Sequence, residues 1–207
     1  MSNTENPGGH VAILAPFDTS DTRQLLEILY TTSFRYSEDP PFRLSSGILS
    51  PYYIDCKTAF SNPEARRLIG ELVFEKIYDL AAEGIGGLAI GAYPVAIAAS
   101  DVAYAKKGQI LRAFVVRKEP KPHGLKKFIE GDVKSGNRVI IVDDVITSGK
   151  STIEAIEKCR DAGLKILKAI ALIDRQEEGG KENIEQHEVT LETLFTLQDF
   201  KDRLNER

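Results

Sequence analysis

Asp143 and Asp144 end an apolar, β-branched run, Val139-Ile140-Ile141-Val142, and are followed by Val145-Ile146 and then by Thr147-Ser148-Gly149-Lys150-Ser151. An uninterrupted run of this kind reads as a buried parallel strand, which opens into a site at its carboxyl end. The two acids then stand on the rim of a pocket. Beyond Ser151, apolar residues recur at Ile153, Ile156 and Cys159, a helical spacing. A loop of hydroxyls and glycine that opens onto a helix N-terminus presents free backbone N–H groups, the geometry that holds a phosphate. One strand-loop-helix unit thus sets a pair of hydrogen-bond-accepting acids beside an anion cradle.

Gly149-Lys150-Ser151 has the ending of a P-loop, but that motif requires a glycine where this chain has Asp144. A nucleotide triphosphatase is disfavoured on that ground. The plainer alternative is a strand that stops at two acids and a Thr-Ser-Gly turn that caps a helix, features that recur in α/β proteins without any ligand.

The elements that must position these residues follow from pattern. Thr19, Ser20 or Asp21 can cap a helix with Leu25, Leu26, Ile28 and Leu29 inward, expected to run to about Phe34. Residues 42–57 hold short β-like runs around Ser46-Gly47 and Ser50-Pro51 and read as a small hairpin module, a hood over about 40–60, outside the main alternation. Asn62 caps, and Pro63 begins, a long amphipathic helix expected to end at Gly84. Strand 87–91, helix 94–106, strand 110–116, strand 139–143, helix 150–162 and strand 166–174 then alternate as in an open parallel α/β sheet flanked by helices. Residues 189–196 are expected as an edge strand and 197–204 as a closing helix. A chain of 207 residues suffices for one well-buried α/β domain, taken as 19–207, after a tail over 1–18 expected to be disordered.

Two further segments follow strands. Arg117-Lys118-Glu119-Pro120-Lys121-Pro122-His123-Gly124-Leu125-Lys126-Lys127 is polar, rich in proline and aperiodic, so it reads as a mobile basic loop. Alone it would be a solvated connection; beside a phosphate cradle its cations suit a bisphosphorylated substrate over which a loop closes. Arg175, just past Leu172-Ile173-Asp174, stands where an arginine fork could grip a planar carboxylate, or else where a surface ion pair forms.

Composition narrows the partners. The net charge of -4 argues against a nucleic-acid or membrane surface, and no apolar run approaches a membrane span. Two cysteines, Cys56 and Cys159, are too few for a disulfide framework, and residues 1–10 lack the features of a signal peptide, so a cytoplasmic setting is expected. His10, His123 and His187 are scattered, so no residue is assigned as a metal ligand and any metal is expected to arrive with the substrate.

Five segments together resemble the type I phosphoribosyltransferases, and within them orotate phosphoribosyltransferase: Ser46-Gly47 with Ser50-Pro51-Tyr52-Tyr53, Gly86-Gly87-Leu88-Ala89-Ile90-Gly91, the basic loop from Arg117 to Gly124, Val142-Asp143-Asp144-Val145-Ile146-Thr147-Ser148-Gly149, and Asp174-Arg175-Gln176-Glu177-Glu178-Gly179-Gly180. The resemblance spans roughly residues 20–207, and the basic loop with Asp-Arg-Gln-Glu separates it from purine relatives. It implies transfer of phosphoribose from 5-phosphoribosyl 1-pyrophosphate (PRPP) to N1 of orotate, giving orotidine 5-phosphate and pyrophosphate in pyrimidine synthesis. It further implies Mg²⁺ carried in with PRPP and a homodimer with shared active sites. On that model Arg117, Lys118, Lys121 and His123 bind the pyrophosphate, with Lys121, Asp143 and Asp144 catalytic. Asp143, Asp144, Val145, Ile146, Thr147, Ser148, Gly149, Lys150 and Ser151 hold the ribose 5-phosphate portion, and Thr147 and Arg175 touch orotate. Tyr53 and Ile54 either flank the orotate ring or pack. Ser45 stands where many members of that family carry a lysine, and some carry a lysine shortly after the strand ending at Gly91, where this chain reads Ala92-Tyr93-Pro94-Val95. Transfer to another base, or a regulator that binds PRPP without catalysis, are the competing readings; the loop lysines favour an enzyme.

Overall fold

A computed structural model of the chain describes residues 19–44, 47–120 and 127–206. In chain order come α1 (Thr19–Thr32), β1 (Phe34–Tyr36), β2 (Phe42–Arg43), β3 (Leu49–Ser50), β4 (Tyr52–Ile54), α2 (Pro63–Glu75), β5 (Gly84–Leu88), α3 (Ala92–Lys107), β6 (Arg112–Val116), β7 (Ile129–Glu130), β8 (Arg138–Ile146), α4 (Lys150–Asp161), β9 (Lys165–Asp174), α5 (Gly180–Glu185), β10 (Leu191–Thr196) and α6 (Leu197–Asn205). Six strands form the main sheet in the order β10-β9-β8-β5-β6-β7, every pair parallel except β6 with β7.

Alternation along the central strands sorts the core into two layers. Ile140 and Val142 of β8, with Ile170 and Leu172 of β9, pack among Leu25, Leu68, Ile69 and Val95 from α1, α2 and α3. Val139 and Ile141, with Ala169 and Ala171, pack among Ala155, Ile156 and Cys159 of α4. Successive strand side chains point to opposite faces, so a sheet covered on both sides needs an unbroken apolar run. Each fully buried aliphatic side chain contributes about 1.5–3 kcal/mol, so reversing the register would be prohibitive. The same alternation carries on to the two acids: Asp143 leaves on the α4 face and Asp144 on the α3 face.

Strand order turns between β5 and β8. The first continues through α3 to β6 on one side, the second through α4 to β9 on the other. β5 pairs with β8 only as far as Gly86↔Ile141, whereas β8 pairs with β9 out to Ile146↔Asp174. Past Ile141 the β5–β8 ladder ends, so the strand order reverses at the carboxyl ends of these two strands, the place where open α/β sheets hold ligands.

Several boundaries differ from the sequence expectation. α2 ends at Glu75, not Gly84, and the apolar rhythm through Ile77 and Leu80 belongs to tight turns with Ile77 N–H bonded to Phe74 O and Leu80 N–H to Ile77 O. Over so short a stretch those three-residue turns and an α-helix read alike. β5 lies at Gly84–Leu88 instead of 87–91, its glycines demanded by close neighbours: a Cβ at Gly86 would overlap the Phe114 carbonyl, and one at Gly87 the Val142 carbonyl. α1 stops at Thr32 because Phe34 pairs with Ile54, and the hood is two antiparallel pairs, β1 with β4 and β2 with β3. β7 and α5 were not anticipated. The expected tail over 1–18 lies outside the described residues. Among the described residues no helix is long and apolar enough to cross a membrane.

Candidate active site

Asp143 is almost wholly enclosed, 6% exposed, at the open end of β8. Its Oδ1 accepts the Asp144 N–H at 3.0 Å and its Oδ2 accepts the Thr152 hydroxyl at 2.8 Å. Burial, then the neighbouring Asp144 carboxylate, push the Asp143 carboxyl up to about 7 against the pull of those two hydrogen bonds. Asp144, on the opposite face, lies against Gly91, where a Cβ would overlap its carboxylate. Lys57, just past β4, is raised first by its hydrogen bond to Asp55 and further by the Asp144 charge, which brings the base of the hood into the same electrostatic neighbourhood.

The turn from β8 into α4 is built around Gly149, whose φ of +77° suits glycine and whose Cβ position is closed off by the Gly180 carbonyl and Ile184. No side chain caps α4, so the N–H groups of its first turn face the cavity without a competing acceptor from a cap. α5 backs the turn: Asn183 Nδ2 donates to Ser148 O at 3.0 Å, and Gly180 sits so close under Thr147 that a side chain there would not fit. The result is a cavity of about 280 Å³ lined by Asp143, every residue from Val145 to Ser151, and Lys118. A larger hollow of about 360 Å³ between α2 and α3 shares none of these residues and holds no paired acids beside a helix N-terminus.

Arg175 is not a surface residue; only 3% of its side chain is exposed. Its Nε pairs with Glu177 at 2.9 Å, and its Nη2 donates to Ser50 Oγ and to Tyr52 O, both at 3.2 Å. Either fork of a guanidinium uses Nη2, and both N–H donors of that nitrogen are taken. The expected two-point grip on a carboxylate is therefore closed in this arrangement, and Nη1 alone is uncommitted. What the arginine does here is brace the hood against the end of β9.

Of the four loop residues expected at a pyrophosphate, Lys118 lines the cavity. Arg117 does not: its Nη1 pairs with Glu130 at 2.7 Å and its Nε donates to Glu119 O, because the antiparallel return of β7 sets an acid beside it. Lys121 and His123 lie outside the described residues, as does Ser45. Ile54 is buried in the core, while Tyr53 is partly exposed with its ring 5.5 Å from that of Phe42. Sequence reasoning missed Thr152, Asn183, Lys57, Ser50 and Gly91; of these only the Ser-Pro of the hood and the Gly91 that closes the glycine-rich segment left a mark in the pattern. Among the described residues no group of three or more His, Cys, Asp or Glu side chains is gathered as a metal cage.

Residues 64–200 match the phosphoribosyl transferase domain. The chain is 40% identical over 179 residues to the orotate phosphoribosyltransferase of Aquifex aeolicus (strain VF5), covering 86% of this chain and 97% of that one. It is 38% identical over 187 residues to the orotate phosphoribosyltransferase of Rhodopirellula baltica, covering 87% and 94%. Among solved structures, that of Mycobacterium tuberculosis H37Rv orotate phosphoribosyltransferase in complex with PRPP superposes with a TM-score of 0.72 at 31% identity, over 87% of this chain and 99% of that one.

Proposed function

The chain belongs to the orotate phosphoribosyltransferase family, and from that membership we propose that it transfers the phosphoribosyl group of PRPP to N1 of orotate, releasing pyrophosphate and forming orotidine 5-phosphate for pyrimidine synthesis. The observation that carries this reading is the single cavity shared by Asp143, the turn from Thr147 to Ser151, and Lys118.

The 5-phosphate sits on the uncapped first turn of α4, where N–H groups, the Thr147, Ser148 and Ser151 hydroxyls and the positive end of the helix dipole converge. Asp143, at the cavity wall, accepts hydrogen bonds from ribose hydroxyls, a role its ionised form serves best because both oxygens are then acceptors only. Displacement at the anomeric carbon leaves positive charge on the sugar and negative charge on the departing pyrophosphate, so fixed cations at that end stabilise the transition state. Lys118 supplies one; Lys121 and His123 are proposed as further ones. Carboxylate oxygens suit a hydrated Mg²⁺, so Asp143 and Asp144 would steady an ion carried in with PRPP, which would add positive charge at the leaving group. Thr147 and the uncommitted Nη1 of Arg175 are proposed contacts to orotate.

A homodimer with shared sites is part of the proposal. α3 presents Tyr93, Ile97 and Tyr104 to solvent, with Ile90 exposed just before it, an apolar stripe at helical spacing that suits burial against a second copy. A reducing, cytoplasmic setting is supported by Cys56 and Cys159, both free. The activity is tested by following orotate absorbance: it should fall only when PRPP and Mg²⁺ are both present.

A further inference from the structure

Lys158 lies on α4 about two turns, roughly 12 Å of helix, beyond Lys150. Its ammonium donates to Arg117 O at 2.9 Å, to Lys118 O at 2.7 Å and to Glu154 Oε1 at 2.6 Å. These use all three donors of a lysine. The same nitrogen stands 4.4 Å from the centroid of the Phe128 ring, and the side chain is 16% exposed. Phe128 immediately precedes β7, and its carbonyl accepts the Arg117 N–H at 2.8 Å. β6 and β7 are paired as far as Val116↔Ile129, so Lys158 grips both strands just past the end of that pairing.

A helical ion pair with Glu154, or a cation near the carboxyl end of α4, would account for one of these contacts only. The other two go to consecutive carbonyls of a different segment. Those carbonyls belong to the two peptide planes on either side of the Lys118 Cα. The rotations between such planes are φ and ψ, so fixing both planes fixes the direction in which the Lys118 side chain leaves the backbone. Lys118 lines the cavity with Lys150 and Ser151, whereas Arg117 next to it is held by Glu130.

We propose that Lys158 is a positioning residue for the transfer: it clamps the peptide planes flanking Lys118 and so aims that cation at the substrate phosphates held on the N-terminus of its own helix. The cradle and the cation above it are thereby referenced to one rigid element, and less ordering is left to substrate binding. This rests on the PRPP reading of the site.

Lys158→Met keeps the aliphatic stem on Phe128 and removes the donors. It should lower kcat/KM for PRPP about tenfold, as expected for losing a charge-assisted contact, with the orotate KM at saturating PRPP unchanged. Lys158→Arg should recover most of the loss. The double variant Lys118→Met/Lys158→Met should be no worse than Lys118→Met alone, because Lys158 acts through Lys118. Losses that multiply in the double variant, or full activity of Lys158→Met, overturn the proposal. Hydrogen exchange separates it from the wider reading: without any substrate, the Arg117 amide should exchange faster in Lys158→Met than in the unmutated chain, and an unchanged rate overturns the clamp whether or not transfer is found. If Lys158→Met does not fold, Lys158→Gln replaces it and must show the same split to a smaller extent. Absence of transfer in the unmutated chain counts against the function and leaves the exchange result to decide the clamp.

Discussion

Thr152, in the first turn of α4 and 2% exposed, gives its hydroxyl to Asp143 Oδ2 at 2.8 Å. The strand's alternation brings this about, since Asp143 follows Val139 and Ile141 onto the face that α4 covers. A hydroxyl can favour the carboxylate by donating to it, and in this setting it works against a burial that favours the acid.

Thr152→Val preserves shape and removes that donor. The Asp143 carboxyl, already pushed up to about 7, should rise further, and the acid limb of kcat/KM for PRPP should move to higher pH by about 0.5–1 unit, the equivalent of one net hydrogen bond. A drop in rate that is uniform across pH, with the limb unmoved, would contradict this.

Stability should carry the same signature. An aspartate in the unfolded chain loses its proton near about 3.9, whereas Asp143 in the fold keeps it up to about 7. Between those values the folded state binds the extra proton, so stability falls as pH rises through the window. The melting temperature of the ligand-free protein should decline from pH 4 toward 7, and Asp143→Asn should flatten that decline. An equally steep profile in the variant would show that another group is responsible.

The strand-loop-helix of the site was legible because its signals are local: the run Val139 to Val142, the Thr-Ser-Gly turn, and the apolar spacing of α4. Partners far apart in the chain left no local trace. Nothing in the neighbourhood of Lys158 announces the carbonyls of Arg117 and Lys118, and nothing near Asn183 announces Ser148. β5 was misplaced for a related reason, since its glycines lower strand propensity while answering to the backbones of Phe114 and Val142. Arg175 was located correctly in the chain, yet its burial depends on Ser50 and Tyr52 of the hood, which the pattern at β9 does not contain.

Arg175→Ala should unlatch the hood. It removes the donor to buried Ser50 Oγ, to Tyr52 O and to half-buried Glu177, a loss of about 1–3 kcal/mol, and it should raise the orotate KM more than the PRPP KM. Arg175→Lys should not restore either property, because one ammonium cannot serve Glu177, Ser50 and Tyr52 from the arginine's planar geometry. Unchanged melting and unchanged orotate KM would rule out the brace.

The shared-site dimer makes two linked predictions. Ile97→Glu on the exposed stripe of α3 should shift the protein toward monomer in sedimentation. Inactive Lys121→Ala and Asp143→Asn variants, mixed after subunit exchange, should regain about a quarter of the sites if the basic loop serves the partner's cradle. Mixtures as inactive as the separate variants, with exchange demonstrated, would exclude a loop acting across the interface.

The most direct measurement is pyrophosphate release from PRPP with Mg²⁺ and a panel of acceptors: orotate, uracil, adenine and hypoxanthine. Release should occur with orotate and be lower by orders of magnitude with uracil, which lacks the carboxylate, and with the purines. Equal release with uracil, or release with a purine but not with orotate, would contradict the assignment of orotate as the acceptor.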